Sequence, residues 1–255
     1  CGYTVVGVNH LGDWGTNFGK LISAWKKWGD EAELKAKGVE FLKDLLVKYT
    51  EAAKLDPAYQ QEARDWFRKL ETGDPDAKAI WQHFRDISLA EFKRVYALLG
   101  IDFDSWSGES AYVDQMDGAI KELEAKGLTS ESQGAYVVDL SAHGLKEPFL
   151  LRKADDASLY GTRDLAAILY RRRHYGAKKL IYVVAQDQKL HFKQLFLVAK
   201  LLGVDVEPVH VDFGLMRIVR DGVREKMATR KGTIVLLADV IQEAVDLVRG
   251  IVGDR

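Results

Sequence analysis

Two carboxylates, Glu109 and Asp164, carry the sharpest chemical suggestion in the sequence. Glu109 sits in the turn Ser107-Gly108-Glu109-Ser110, and Asp164 in the string Tyr160-Gly161-Thr162-Arg163-Asp164-Leu165. If they converge, they suit a planar guanidinium, whose five donors match carboxylates in fork geometry as an ammonium cannot. Each charge-assisted hydrogen bond contributes roughly 1.5–3 kcal/mol. The wrong ligand would leave a buried carboxylate unpaired, so such a site separates arginine from lysine or citrulline. The plainer alternative is that Thr162 or Asp164 caps a helix and Asp164 complements its dipole.

A second string, Lys226-Met227-Ala228-Thr229-Arg230-Lys231-Gly232, is basic and contains a small residue and a glycine. A flexible loop of this kind suits polyphosphate and can close over the charge on a leaving pyrophosphate. Its alternative is a solvated loop between a strand and a helix.

The elements that must position these groups follow from hydrophobic pattern. Thr4 to Val8 reads as a buried strand, and Asn9 to Gly19 as a glycine-rich loop. Residues 20 to about 100 are helical in pattern: Phe41, Leu42, Leu45, Leu46 and Tyr49 recur at helical spacing, as do Ile80, Phe84, Ile87 and Phe92. Pro57 and Thr72-Gly73-Asp74-Pro75 divide the region into several helices. A short strand at Ile101 to Phe103, a helix near 112–126 and short strands at Tyr136 to Leu140 and Pro148 to Arg152 follow. Then come a helix from Tyr160 to about His174, a β-branched run Lys179 to Ala185, a helix at about 189–202 and a strand Val206 to Val211. Strand–helix–strand alternation predicts a parallel sheet with crossover helices. Gly214 to Arg220 reads as extended, with the basic loop behind it and a last helix at about 236–251.

Ligands of open α/β sheets bind beyond the carboxyl ends of the strands. Behind the strand candidates lie Asn9-His10-Leu11-Gly12-Asp13-Trp14-Gly15-Thr16, the Glu109 turn, Gln186-Asp187-Gln188 and His210 with Asp212-Phe213-Gly214. Several polar clusters on one rim favour a site, although loops at strand ends are polar in any case.

Composition narrows the classes. A chain of 255 residues, 47% hydrophobic and 29% charged, can bury a core. Its net charge of −1 gives no global field for nucleic acid, leaving local patches such as Arg171-Arg172-Arg173 with Lys178-Lys179. The single cysteine, Cys1, excludes an internal disulfide and a cysteine-based zinc site. No apolar run reaches the roughly 20 residues of a membrane span, and no signal peptide is visible, so a cytoplasmic setting is expected. No Gly-x-Gly-x-x-Gly follows a strand, which counts against a generic dinucleotide enzyme.

Read together, these strings resemble arginyl-tRNA synthetase, a class I aminoacyl-tRNA synthetase family. Asn9 to Thr16 resembles its signature loop, and Tyr160 to Ala166 its tyrosine–x–threonine–arginine–aspartate helix start. Ala185-Gln186-Asp187-Gln188 with His191-Phe192, and His210 to Gly214, resemble its next sheet-end motifs. Lys226 to Gly232 is a variant of the class I lysine–methionine–serine–lysine loop. The resemblance implies a Rossmann-like α/β catalytic core over residues 1–19 and 101–255, with an insertion at about 111–155 and a helical segment at 20–100 between sheet strands. It implies activation of L-arginine with ATP, with Mg2+ accompanying the nucleotide, and transfer to tRNA-Arg by a monomer. Glu109 and Asp164 would hold the guanidinium with Tyr160 packed against it, and Gln188 would fix the α-amino end. His210, Phe213, Gly214, Met216 and Met227 would line the adenosine side. Lys226, Thr229, Arg230 and Lys231 would stabilise the phosphates. Asn9, His10, Asp13 and Trp14 belong to the signature loop without an assigned role, and no protein metal site is implied.

Two departures bear on this reading. Ala228-Thr229-Arg230 leaves no lysine at the second lysine position of the usual class I loop, so Arg230 or Lys231 would supply the charge. The histidine–x–glycine–histidine signature is absent from the sequence, where His10-Leu11-Gly12-Asp13 only mimics its start. In the family that signature lies upstream of the strand corresponding to Thr4–Val8. The expectation is therefore a catalytic portion without its first sheet strand, ATP-binding turn and anticodon-binding domain, and inactive by itself. The alternative is a synthetase-like paralogue that binds arginine or a nucleotide without catalysis.

Overall fold

The computed structural model describes residues 2–152, 160–215, 217–220, 223–226 and 235–253. The chain forms two compact units, Cys1–Asp13 with Phe103–Leu215, and Trp14–Asp102 with Met216–Arg255.

The second unit opens with five helices: α1 (Thr16–Trp28), α2 (Glu31–Lys37), α3 (Val39–Leu55), α4 (Ala58–Glu71) and α5 (Pro75–Leu98). Their boundaries have local causes. Asp30 accepts from the amides of Ala32 and Glu33 to start α2. Asp74 accepts from Ala77 N at 2.9 Å, with Pro75 pre-setting the first turn of α5. Helix α1 begins inside the stretch expected to be loop, at Thr16. Gly19 is required where α1 meets α4: a Cβ there would lie 2.0 Å from the Ala63 carbonyl oxygen. The expected apolar stripe is buried at Leu42, Leu45, Tyr49 and Phe84, whereas Phe92 is exposed.

In the other unit a 3₁₀ turn, Glu109–Gln115, runs into α6 (Met116–Ala125), so the helix expected from 112 begins earlier and tighter. Strands β1 (Ser130–Ser132), β2 (Ala135–Val138) and β3 (Phe149–Arg152) form a small antiparallel sheet in that order. Helix α7 (Tyr160–His174) follows, then β4 (Lys179–Ala185), α8 (Lys189–Leu201) and β5 (Glu207–Phe213). β4 and β5 pair in parallel from Lys179↔Glu207 to Ala185↔Phe213, as the alternation predicts. Helix α7 is buried on nearly every side, at Gly161–Arg163 and Leu165–Leu169, and packs into the cluster of Phe149, Leu151, Leu195 and Val198.

Two expected strands are absent. Thr4 to Val6 are exposed and unassigned, and only Val8 bridges in parallel to Ser105. A β-branched run becomes a strand only where a ladder partner exists, and here the partnered stretch is Gly7–Asn9 against Ser105. Ile101 spends its amide on the Tyr96 carbonyl, closing α5 rather than starting a strand.

In the second unit β6 (Arg217–Arg220) and β7 (Val223–Lys226) form an antiparallel hairpin, and α9 (Leu237–Val252) ends the described chain. Lys226 therefore closes a strand rather than standing in the loop. No described helix is long and apolar enough to cross a membrane.

Candidate functional site

A clasp between two distant loops sets His10 beside Glu109. Asn9 N donates to the Ser105 carbonyl at 2.8 Å, and Glu109 N to the Leu11 carbonyl at 2.9 Å. Asp13 is buried and accepts from Ser110 N at 2.8 Å and Ser110 Oγ at 2.7 Å. Gly108 admits this approach: a Cβ there would lie 2.5 Å from both Asp13 Oδ1 and the Leu11 carbonyl oxygen. Two of the strings singled out by sequence are thus halves of one device, with Asp13 as its buried acceptor.

The start of α7 is docked separately. Thr162 is buried and its Oγ1 donates to the Leu151 carbonyl at 2.6 Å, tying α7 to β3. Thr162 therefore bonds a strand rather than capping its own helix. Asp164 does not cap either: Oδ2 lies 2.7 Å from His191 Nε2, and Oδ1 3.4 Å from His10 Nε2. Burial alone would raise the Asp164 pKa, but the hydrogen bonds to His10 and His191 outweigh it and bring the value down to about 2. Glu109 differs. Burial raises its pKa, the Asp164 charge adds to the rise, and Arg163 only partly offsets it. Glu109 accepts from Arg163 Nε at 2.9 Å. Each carboxylate offers about four acceptor positions, so these internal contacts leave capacity for a ligand's donors. The arrangement presents carboxylate acceptors to a cation's donors; among the described residues no group of three or more His, Cys, Asp or Glu could hold a metal ion.

Around this pair lie aromatic rings. The exposed Tyr160 ring sits 4.9 Å from that of His191. Phe192 continues the row to His210, with centroids 4.5 Å apart, and His210 Nε2 lies 2.8 Å from the Val184 carbonyl oxygen. Gln188, Phe213 and Gly214 are exposed at the carboxyl ends of β4 and β5, where Lys189 pairs with Asp212 at 2.8 Å. Asn9 Nδ2 is buried without a hydrogen-bond partner.

Other expected residues fall elsewhere. Trp14 packs on Phe67 and Trp81 in the helical unit, with centroids at 6.0 and 5.4 Å. Met216, Met227, Thr229, Arg230 and Lys231 lie outside the described residues, as does the Lys226 side chain. Residues the motifs left without a role also converge here: Arg163, His191, Tyr112, Tyr182 and Arg171. The basic run 171–173 is not an open patch. Arg171 is buried, Arg172 and Lys178 meet Asp205, Arg173 meets Glu122, and Lys179 meets Glu207. Helical phase was the available signal for Arg171, since it stands seven residues after Asp164 and shares its face.

The sequence family described as "tRNA synthetases class I (R), catalytic domain" matches residues 1–254. An arginine–tRNA ligase of Exiguobacterium sibiricum is 50% identical over 256 residues, covering 100% of this chain and 45% of the relative. An arginine–tRNA ligase of Streptococcus pneumoniae is 51% identical over 246 residues, covering 96% of this chain and 43% of the relative. The crystal structure of arginyl-tRNA synthetase from Plasmodium falciparum matches with a TM-score of 0.72 at 25% identity, covering 96% of this chain and 40% of that one. The chain therefore spans less than half the length of the relatives it matches.

Proposed function

Because this chain belongs to the class I tRNA synthetase catalytic domains of the arginine type, we propose that it supplies the side-chain pocket and part of the nucleotide face of an arginine–tRNA ligase. The observation that carries this reading is Asp164: a buried carboxylate held ionised beside a second carboxylate, Glu109. L-arginine's guanidinium would lie between them, with the exposed Tyr160 ring packed over it and Gln188 meeting the α-amino group. Asn9, whose buried Nδ2 is unpartnered, adds a donor beside the clasp.

The arginine carboxylate would attack the α-phosphate of ATP, giving arginyl-adenylate and pyrophosphate. The arginyl group would then pass to the terminal adenosine of tRNA-Arg. His210, Phe213, Gly214, Met216 and Met227 would line the adenosine. Lys226, Thr229, Arg230 and Lys231 would neutralise the phosphates as charge develops. The work is positioning and charge stabilisation rather than covalent catalysis by the protein. Mg2+ would come with the nucleotide's phosphates. A monomer in the cytoplasm is the setting this reading implies.

Asp164→Asn tests it in the complete protein that carries this chain. Removing one partner of a buried charge pair costs about 3–5 kcal/mol, so arginine kcat/KM should fall by about 100-fold or more. Equal kcat/KM in the variant would remove Asp164 from the pocket.

A further inference from the structure

We infer that Arg171 is a positioning residue of this pocket: it fixes the tautomer of His10, and through His10 the hydrogen bonding of Asp164. The inference rests on the proposed reading of Asp164 as a guanidinium acceptor. Arg171 is 8% exposed and has no carboxylate partner among the described residues. Its guanidinium lies 5.7 Å from the Tyr112 ring centre and 5.5 Å from that of Tyr182. Its Nη2 stands 3.2 Å from His10 Nδ1.

A guanidinium only donates, and it keeps its protons at every pH a protein survives. The nitrogen facing it must therefore accept, so His10 Nδ1 carries no proton. In the neutral ring the one proton then sits on Nε2, the nitrogen that faces Asp164 Oδ1 at 3.4 Å. A second proton on Nδ1 would set N–H against N–H and add a cation beside a buried cation. Arg171 thus disfavours the imidazolium form. The consequence for the pocket is direct. An imidazolium at His10 would neutralise Asp164 and compete with the ligand's guanidinium, whereas a neutral His10 orients the carboxylate and leaves its charge for the ligand. His10 is faced by Asp164 and Arg171 from α7, and by Glu109 and the Tyr112 ring from the 3₁₀ turn. His191 shares Asp164 from α8, and Tyr182 faces Arg171 from β4.

The decisive measurement is the nitrogen chemical shifts of His10 in the unsubstituted protein, without ligand. The Nε2–H tautomer with an unprotonated Nδ1 is expected; a protonated Nδ1 overturns the inference. Kinetics on Arg171→Met in the complete protein that carries this chain, a change that keeps the apolar stem and removes the charge, give the functional arm. With the guanidinium gone, nothing on α7 opposes a second proton at His10 Nδ1. Arginine KM should then rise about tenfold at pH 6 and return toward the unsubstituted value at pH 8.5, with kcat little changed. A merely structural role would raise KM equally at both pH values, and that result would also overturn the inference. Arg171→Lys retains a cation on α7, and its KM–pH profile should stay with the unsubstituted protein; a profile matching Arg171→Met counts against the charge as the agent. The two readings fail separately. An unchanged KM in Asp164→Asn removes the arginine pocket and leaves the His10 tautomer result standing.

Discussion

The two ends of the β4–α8–β5 region and its neighbour α7 are built on opposite principles. At the start of α7 each charged group has a named partner: Asp164 with His191 and His10, Glu109 with Arg163. At the carboxyl ends of β4 and β5, Gln188, Phe213 and Gly214 are exposed, and the charge pair Lys189–Asp212 is open to water. Buried charge needs partners before any ligand arrives, because desolvation is costly without them. An exposed rim can wait for its ligand. The difference teaches that the start of α7 is a prearranged charge network, while the strand ends form an exposed rim.

The contrast can be broken most severely at Gly108. Alanine there drives a Cβ into Asp13 Oδ1 and the Leu11 carbonyl at 2.5 Å, so the clasp must open. A loss of about 3 kcal/mol is expected, within the usual range for overpacking and a disrupted hydrogen-bond network. Denaturant unfolding of Gly108→Ala measures it, and a midpoint equal to the unsubstituted protein would mean that the clasp does not hold the pocket.

Acidification sharpens the comparison within the network. The Asp164 pKa is brought down from 3.8 to about 2. Its contribution to stability is complete above the unfolded value and is lost as pH falls through about 2, an amount on the order of 2 kcal/mol. Glu109 runs the other way: its raised value favours the neutral acid, so its contribution is present at low pH and lost as pH rises through the folded value. Carboxyl carbon titrations of the two residues should fall on opposite sides of their ordinary ranges. A shared midpoint would erase the distinction between them. If the proposed pocket is right, the same ordering predicts that arginine binding weakens on acidification through Glu109 before Asp164 is touched.

The smallest effect belongs to the exposed rim. Lys189→Ala should leave Tm unmoved, because an exposed pair in water contributes little that can be measured. A clear drop in Tm would show that the strand ends are as prearranged as α7.

Much of the framework was legible in local sequence. Pro57 and Asp74-Pro75 divide the helices where the structure divides them, and the β-branched run Lys179–Ala185 is β4 residue for residue. These signals work because a proline, a cap and a strand pattern act within a few residues of themselves. The motif strings likewise contain Glu109, Asp164, His10 and Asp13, which the fold brings near one another. Thr4–Val8 misled for the complementary reason: strand propensity is empty without a neighbour, and its neighbour at Ser105 reaches only the last residues of the run.

What the sequence by itself determined, then, is the order of the elements, the parallel β–α–β alternation and the residue types gathered around one site. Tertiary structure alone decided the partners. Asp164 could have been a helix cap, yet it is held by His10 and His191, the first of them 154 residues earlier in the chain (164 minus 10). Arg171 read as surface charge, yet it is buried against Tyr112, Tyr182 and His10. Whether a charge is solvated, capped or paired depends on which groups the fold brings within a few ångströms, and that information is not local to any stretch of chain.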